Sequence, residues 1–561
     1  MIKKMKFYQI AVIGIAVTAA LIFMLPVKAQ QQSSFDHVDL APLDNVRKDG
    51  HPKMDSVLYR LAKVYTSGGV DEAREFARVR GIDMNGEAVR VVLEGRLPGG
   101  GALAARITGT IVKACVQNAG GIVETSFRQS VQCSVPLHTL QNLADLEFVR
   151  YMRRPFKPHI TETSEGVAAS GANKWQSLTS FHATEPVRVC ILDAGFDGYQ
   201  GLLGSDLPAS VTTRSFRADG DIFAGQKHGT GCAEIVHDMA PDAELYLVNF
   251  QTFTELQNAI EWIVKEKCDV ISYSMGSYIA GRGDGTGPYA ELAEYVHDAG
   301  LIWVTSAGNS ANDHWQGNFN DPDSDKWHNF SGGDEILTFT VPAYTIVSAY
   351  LKWDDWGTWD GNYYSGSNQD YDLYLYYYNG SNWVYVDHSS NPQTGTQWPA
   401  ESMAGWYSNS EMNWGIAIYK SGATQNLKMD LYIPTHKGDL EYNVPAGSLT
   451  APSDIPHIIS VGAVNWTDFG YHYYSSRGPT IDGRIKPDFC APSGVSCMTY
   501  GSYSFFGTSA ACPHVAGAIA LMKLKTPFYL GQIVDMLEDR AGDLGPAGKD
   551  NQFGFGRLKL D

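Results

Sequence analysis

The chain has 561 residues, 44% hydrophobic and 19% charged, with a formal net charge of −18. That length exceeds one compact domain, and the composition supplies a core of good size. The acidic balance argues against a nucleic-acid partner, which needs clustered Lys and Arg, and suits a solvated extracellular surface.

In chain order, Lys3, Lys4 and Lys6 precede an apolar run over residues 10–25, and Val27-Lys28-Ala29 places small residues where a signal peptidase reads. Residues 1–29 are therefore expected to be a signal peptide cut after Ala29; the apolar run is 16 residues, short for a membrane span of about 20. Residues 30–50 are polar and expected to be disordered. Residues 51–158 read as a small α+β domain. It has a strand at 89–93, a helix through Leu103, Ile107, Ile111 and Cys115, strands from Ile122 and over 131–135, and a short helix through Leu140, Leu143, Ala144 and Phe148. Residues 159–180, rich in Ser, Thr and Gly, are expected to be an exposed linker.

From Val187 strands and helices alternate: strands at 187–192, 245–248, 270–273 and 301–305, helices at 256–264 and 289–297. That rhythm predicts an α/β fold, a parallel sheet with helices on both faces. It stops near Asp321. Short alternating strands at 345–352, 371–376, 383–386, 415–419 and 427–433 predict an all-β sandwich inserted over 321–440. The α/β pattern resumes near Ile458, so residues 181–320 and 441–561 form two parts of one domain.

The eight cysteines show no metal-type spacing. Export permits disulfides; Cys490 and Cys497 could pair, as could Cys115 and Cys133. Cys190, Cys232 and Cys512 stand in apolar surroundings and read as buried free thiols.

Three distant segments each carry one member of a proton relay. Asp193 ends a buried-type strand, His228 opens His-Gly-Thr-Gly before a helix, and Ser509 lies in Gly-Thr-Ser-Ala-Ala-Cys-Pro-His-Val-Ala-Gly at 507–517, also entering a helix. A serine hydroxyl needs a base to take its proton, histidine titrates in the right range, and a carboxylate fixes the imidazole tautomer. A strand's C-terminal end and a helix N-terminus are where such sites and oxyanion donors stand. Asn309, in Ser-Ala-Gly-Asn after the strand at 301–305, could donate its amide to an oxyanion, although a lone turn asparagine would look the same.

These segments resemble the subtilisin family of serine peptidases, the subtilases. The similarity extends to Ser475-Ser476-Arg477-Gly478-Pro479-Thr480, to Lys486-Pro487-Asp488 with Ala491-Pro492, and to the ending at 554–558. It covers roughly 187–320 and 455–561. The resemblance implies a subtilisin-like sheet and a secreted serine endopeptidase with Asp193, His228 and Ser509 catalytic and Asn309 in the oxyanion hole. It implies that Ser274, Met275 and Gly276 bind an extended peptide by strand addition. The domain at 51–158 is then a propeptide that inhibits its own cleft until cut off near 159–180. Protein or peptide substrates are expected, with no nucleic acid and no stable membrane anchor. No cofactor is required. Calcium is the family's usual bound ion, and candidate ligands are Asp321, Asp323 and Asp325, or Asp354, Asp360, Asp370 and Asp372.

The sequence departs from the family pattern in three places. Ala194 follows the aspartate; Glu234 lies in the helix after His228 and invites comparison with the sedolisins, which use Glu and Asp; and the interval from Asn309 to Ser509 is long. The competing reading is a catalytically silent scaffold that presents the β insert for binding. An esterase is disfavoured because no Gly-x-Ser-x-Gly elbow surrounds Ser509.

Overall fold

The computed structural model describes residues 51–79, 82, 84–96, 101–154, 163–181, 186–361, 364–438 and 440–561. The expected signal peptide, the polar segment 30–50 and the start of the linker lie outside them. The chain divides into two compact units, with the division in sequence after residue 160.

In the first unit, helix α1 (Ser56–Val79) precedes strands β1 (Met84–Asn85) and β2 (Ala88–Gly95). Helix α2 (Gly101–Asn118), strands β3 (Ile122–Phe127) and β4 (Ser130–Pro136), helix α3 (Leu140–Asp145) and strand β5 (Val149–Arg153) follow. The strands of this sheet pair antiparallel, with β2 between β4 and β5. The alternating inward residues of β4, Val131, Cys133 and Val135, join Val91, Leu93, Leu58 and Leu61 in one core.

The second unit opens with two short helices, α4 (Glu165–Ala169) and α5 (Ala172–Gln176). This corrects the expected exposed linker. Val167 and Ala172 are buried, Trp175 Nε1 donates to Leu560 O at 2.8 Å, and Leu560 N donates to Ser170 O at 2.7 Å. These partners lie almost 400 residues downstream, so Ser- and Gly-rich composition carries no trace of them.

The central sheet is built from strands β6 (Arg188–Asp193), β7 (Thr212–Ser215), β8 (Glu244–Asn249), β9 (Val270–Tyr273), β10 (Ile302–Ser306), β19 (Ile458–Asn465) and β20 (Phe489–Ser493). Their order is β20-β19-β10-β9-β6-β8-β7, and every pairing is parallel. Both faces are covered, so the strands read as continuous apolar runs. Val189 and Ile191 face helices α6 (His228–Met239), α9 (Thr508–Lys525) and α10 (Leu530–Arg540). Cys190 and Leu192 face α7 (Phe253–Lys265) and α8 (Pro288–Asp298). Thr252 and Glu255 form a capping box that starts α7, and Pro288 starts α8. Helix α9 has no polar stripe because it is buried on nearly every side.

Between β10 and β19 lie two four-stranded antiparallel sheets. One orders β11 (His314–Asn318), β18 (Lys428–Tyr432), β13 (Thr345–Trp353) and β16 (Ala400–Ser408); the other orders β12 (Leu337–Val341), β17 (Met412–Tyr419), β14 (Asp372–Tyr378) and β15 (Trp383–Ser389). Val347 and Leu351 of the first share an apolar core with Leu373 and Ile416 of the second. The insert starts earlier than the expected residue 321, because His314–Asn318 pairs with Lys428–Tyr432. All eight cysteines are free, so neither open pairing forms. Among the described residues no helix is long and apolar enough to cross a membrane.

Candidate active site

Asp193 stands at the C-terminal end of β6, 1% exposed. Its two carboxylate oxygens each lie 2.9 Å from His228 Nδ1 at the first position of α6. The close approach depends on Gly229: a Cβ there would lie 2.6 Å from the Phe196 ring and 2.8 Å from Asp193 Cβ. Ala194 N donates to Asp193 Oδ1 at 2.8 Å, so the unusual alanine serves through its backbone. Burial works against the charged imidazole, but the charge and hydrogen bond of Asp193 outweigh it and hold His228 above its ordinary value. Phe505 packs edge-on against the imidazole at 5.9 Å and stacks on Tyr500 at 4.5 Å.

Ser509 is the second residue of α9, where helix N–H groups lack intrahelical partners. It lines one cleft of about 230 Å³ with Asp193, His228, Asn309 and all three of Ser274, Met275 and Gly276. Its hydroxyl donates to Ser274 O at 3.4 Å. No hydrogen bond joins it to His228 among the described contacts; such bonds are often loose before substrate arrives.

Pro513 inside α9 lacks the N–H that would bond the Ser509 carbonyl four residues back. That carbonyl instead accepts from Ser274 Oγ at 3.0 Å and lies 3.6 Å from Cys232 Sγ. The serine helix is thereby tied to the expected substrate strand and to the histidine helix. Gly517 completes the packing, since a Cβ there would lie 2.5 Å from Met239 Cβ on α6.

Asn309 Oδ1 accepts from both the N–H and the hydroxyl of Thr508, each at 2.9 Å. Because a backbone N–H can only donate, the amide's NH₂ is the half left for the cleft. An anion forming beside Ser509 would meet that NH₂ and the N-terminus of α9 together.

Glu234, which invited the sedolisin comparison, does not line the cleft. It is buried and accepts from Met498 N at 2.6 Å, from Thr499 N at 3.1 Å and from the Thr499 hydroxyl. It supports the turn that leads to Tyr500 and so the rings behind His228. Sequence reasoning also missed Thr450, Asp313 and Pro434, which line the cleft from loops flanking the insert. None sits in a motif, so the sequence offered no signal for them.

The carboxylates of Asp321, Asp323 and Asp325 lie within 4.8 Å of one another and could hold a cation. Their negative charge adds to burial in raising Glu335. The described residues show no such grouping of Asp354, Asp360, Asp370 and Asp372; Asp354 pairs with Arg282 at 2.6 Å.

Comparison with known proteins adds sequence relatives. Subtilisin E of Bacillus subtilis is 39% identical over 107 residues, 19% of this chain and 26% of that protein. Subtilisin of Bacillus pumilus is 41% identical over 95 residues, 17% of this chain and 33% of that protein. The chain thus spans only about a quarter to a third of the length of these relatives. The solved CspB protease of Clostridium perfringens aligns over 71% of this chain and 97% of its own at 15% identity, with a TM-score of 0.48. The model of the subtilase family matches residues 185–556, well over half of the chain and both halves of the parallel sheet. This chain belongs to the subtilase family.

Proposed function

We propose that the chain is a secreted serine endopeptidase that cleaves peptide bonds through an acyl-enzyme. The observation that carries this reading is the Asp193–His228 pair at 2.9 Å, opening on the same cleft as Ser509 and Asn309. Asp193 holds the proton on Nδ1, so Nε2 is free to take the hydroxyl proton as Ser509 Oγ attacks the carbonyl. The tetrahedral oxyanion is met by the Asn309 amide and the N-terminus of α9. His228 returns the proton to the leaving amine; water then repeats the sequence in reverse and frees Ser509.

Ser274, Met275 and Gly276 border the substrate on one side, with Ser274 also fixing the serine helix. The basic start, apolar run and small residues of 1–29 support export. The first unit is the propeptide. Its removal belongs upstream of Ser164, since α4 and α5 are part of the second unit's core. Asp321, Asp323 and Asp325 offer the hard oxygen donors a structural calcium ion takes.

The test compares the expressed wild type with Ser509→Ala by intact mass and casein hydrolysis. Wild type should lose its N-terminal unit and digest casein, and the variant should do neither. A variant that matures and digests casein by itself would mean another nucleophile.

A further inference from the structure

The cleft beside Ser509 is a pocket between two walls, Ser274–Gly276 and the stretch from Ser306 to Ser310. Gly276 and Gly308 both face Thr450; a Cβ would lie 2.5 Å and 2.7 Å, respectively, from its hydroxyl. The missing side chains leave room for Thr450 to bridge the walls. Ser274 and Asn309 belong to these walls and bond to Ser509 and Thr508, so on the endopeptidase reading the pocket is placed to seat the residue whose carbonyl Ser509 attacks.

One turn past Asn309, Asp313 enters the same pocket. Its N–H donates to Ser310 O at 3.1 Å and its carbonyl accepts from Ile433 N at 2.8 Å, so the backbone is held on both sides. His436 Nε2 meets Oδ1 at 2.9 Å, with the imidazole side chain 2% exposed and the carboxylate 22% exposed. Among the described residues neither Lys nor Arg lines the cleft, and its carboxylates are Asp193, both of whose oxygens lie 2.9 Å from His228, and Asp313, which meets His436 through Oδ1 alone. A carboxylate in a specificity pocket pairs with a guanidinium or ammonium. Burial works against a charged His436, but the hydrogen bond and charge of Asp313 hold its pKa above the ordinary value, and in either protonation state Nε2–H donates to one carboxylate oxygen and leaves the other for the pocket.

We infer that Asp313 selects substrates carrying Arg or Lys on the acyl side of the scissile bond. The inference rests on the endopeptidase reading and names its substrate class. The test uses quenched fluorescent peptides identical except for Arg, Lys, Leu or Glu at that position. Wild type should favour Arg or Lys over Leu by about tenfold or more in kcat/KM, the factor that follows from one desolvated charge pair. In Asp313→Asn the Arg-to-Leu ratio should collapse to within about threefold of unity, whereas a merely structural role would lower both rates together and leave the ratio intact. A binding measurement stands apart from turnover: benzamidine should raise the thermal midpoint of the wild type and not that of Asp313→Asn.

Cleavage of the Leu peptide in preference to the Arg peptide, lost in Ser509→Ala, overturns the selectivity while leaving the endopeptidase reading in place. A benzamidine shift with no hydrolysis of any peptide supports the pocket and overturns the endopeptidase reading. Neither shift nor hydrolysis overturns both.

Discussion

Ser274 Oγ lies 3.0 Å from the carbonyl oxygen of Ser509, the acceptor that Pro513 deprives of its helical partner. One side chain from the segment just after β9 thus completes the hydrogen bonding of the Ser509 carbonyl. Ser274→Ala leaves that buried carbonyl with only the weak Cys232 thiol. The expected cost is about 1–3 kcal/mol. Urea unfolding of Ser274→Ala in a Ser509→Ala background, free of self-digestion, measures it, and an unchanged midpoint would remove the role given to Ser274.

Asp193 holds His228 above its ordinary value of 6.5. The ionised pair therefore stabilises the fold below that ordinary value, and the contribution is lost as pH rises through the raised one. Activity runs the other way, because the base must be neutral; kcat/KM should climb along the same limb with a midpoint above 6.5. Asp193→Asn removes both favourable causes. It should move the midpoint down and lower kcat by roughly 10⁴-fold through the wrong tautomer. A pH–rate profile of the two proteins decides it.

Asn309→Ala should lower kcat by about 10²–10³-fold with little change in KM, since the amide acts on charge that appears only in the transition state. Thr508→Val removes one of the two bonds that orient Asn309 Oδ1 and keeps the other, so its loss should be smaller. Equal losses in kcat for both variants would point to a folding defect instead of a misplaced donor.

Behind the cleft, burial pushes Asp238 up to about 8 and Glu234 up to about 7, and neighbouring acids add to both. Asp238 also receives Ser164 N at 2.8 Å. A carboxyl raised in the folded state contributes stability that is complete below its unfolded value near 4 and lost as pH rises through the folded one. Stability of the Ser509→Ala protein should fall between about pH 5 and pH 9 for this reason. Asp238→Asn keeps an acceptor for Ser164 and should flatten the fall. Denaturation midpoints at the two pH values provide the comparison.

What could be read in advance followed from local rules. The strand at Val270–Tyr273 and the helix at Phe253–Lys265 announce themselves by apolar runs and spacing, and the motifs around Asp193, His228 and Ser509 by residue type. Helix α1 escaped notice because Gly68-Gly69 interrupts its pattern, and Gly69 has a non-helical φ of 81° that kinks it. Helices α4 and α5 escaped because their burial is supplied by Leu560 and other distant residues. Asp313 looked like any loop acid; only the fold brings it beside Asn309, with His436 at its back.

Strands β10 and β19 are side-by-side parallel neighbours, with Trp303 opposite Ile458 and Ser306 opposite Val461. Parallel neighbours require a crossover, and here the crossover carries the whole β insert, whose flanks supply Asp313 and Pro434. On the proposed reading, the catalytic residues Asp193, His228, Asn309 and Ser509 all fall outside the stretch from Asp313 to Pro434. On that reading, exchanging only the stretch between Asp313 and Pro434 would reshape what the cleft accepts and leave Asp193, His228, Asn309 and Ser509 where they stand.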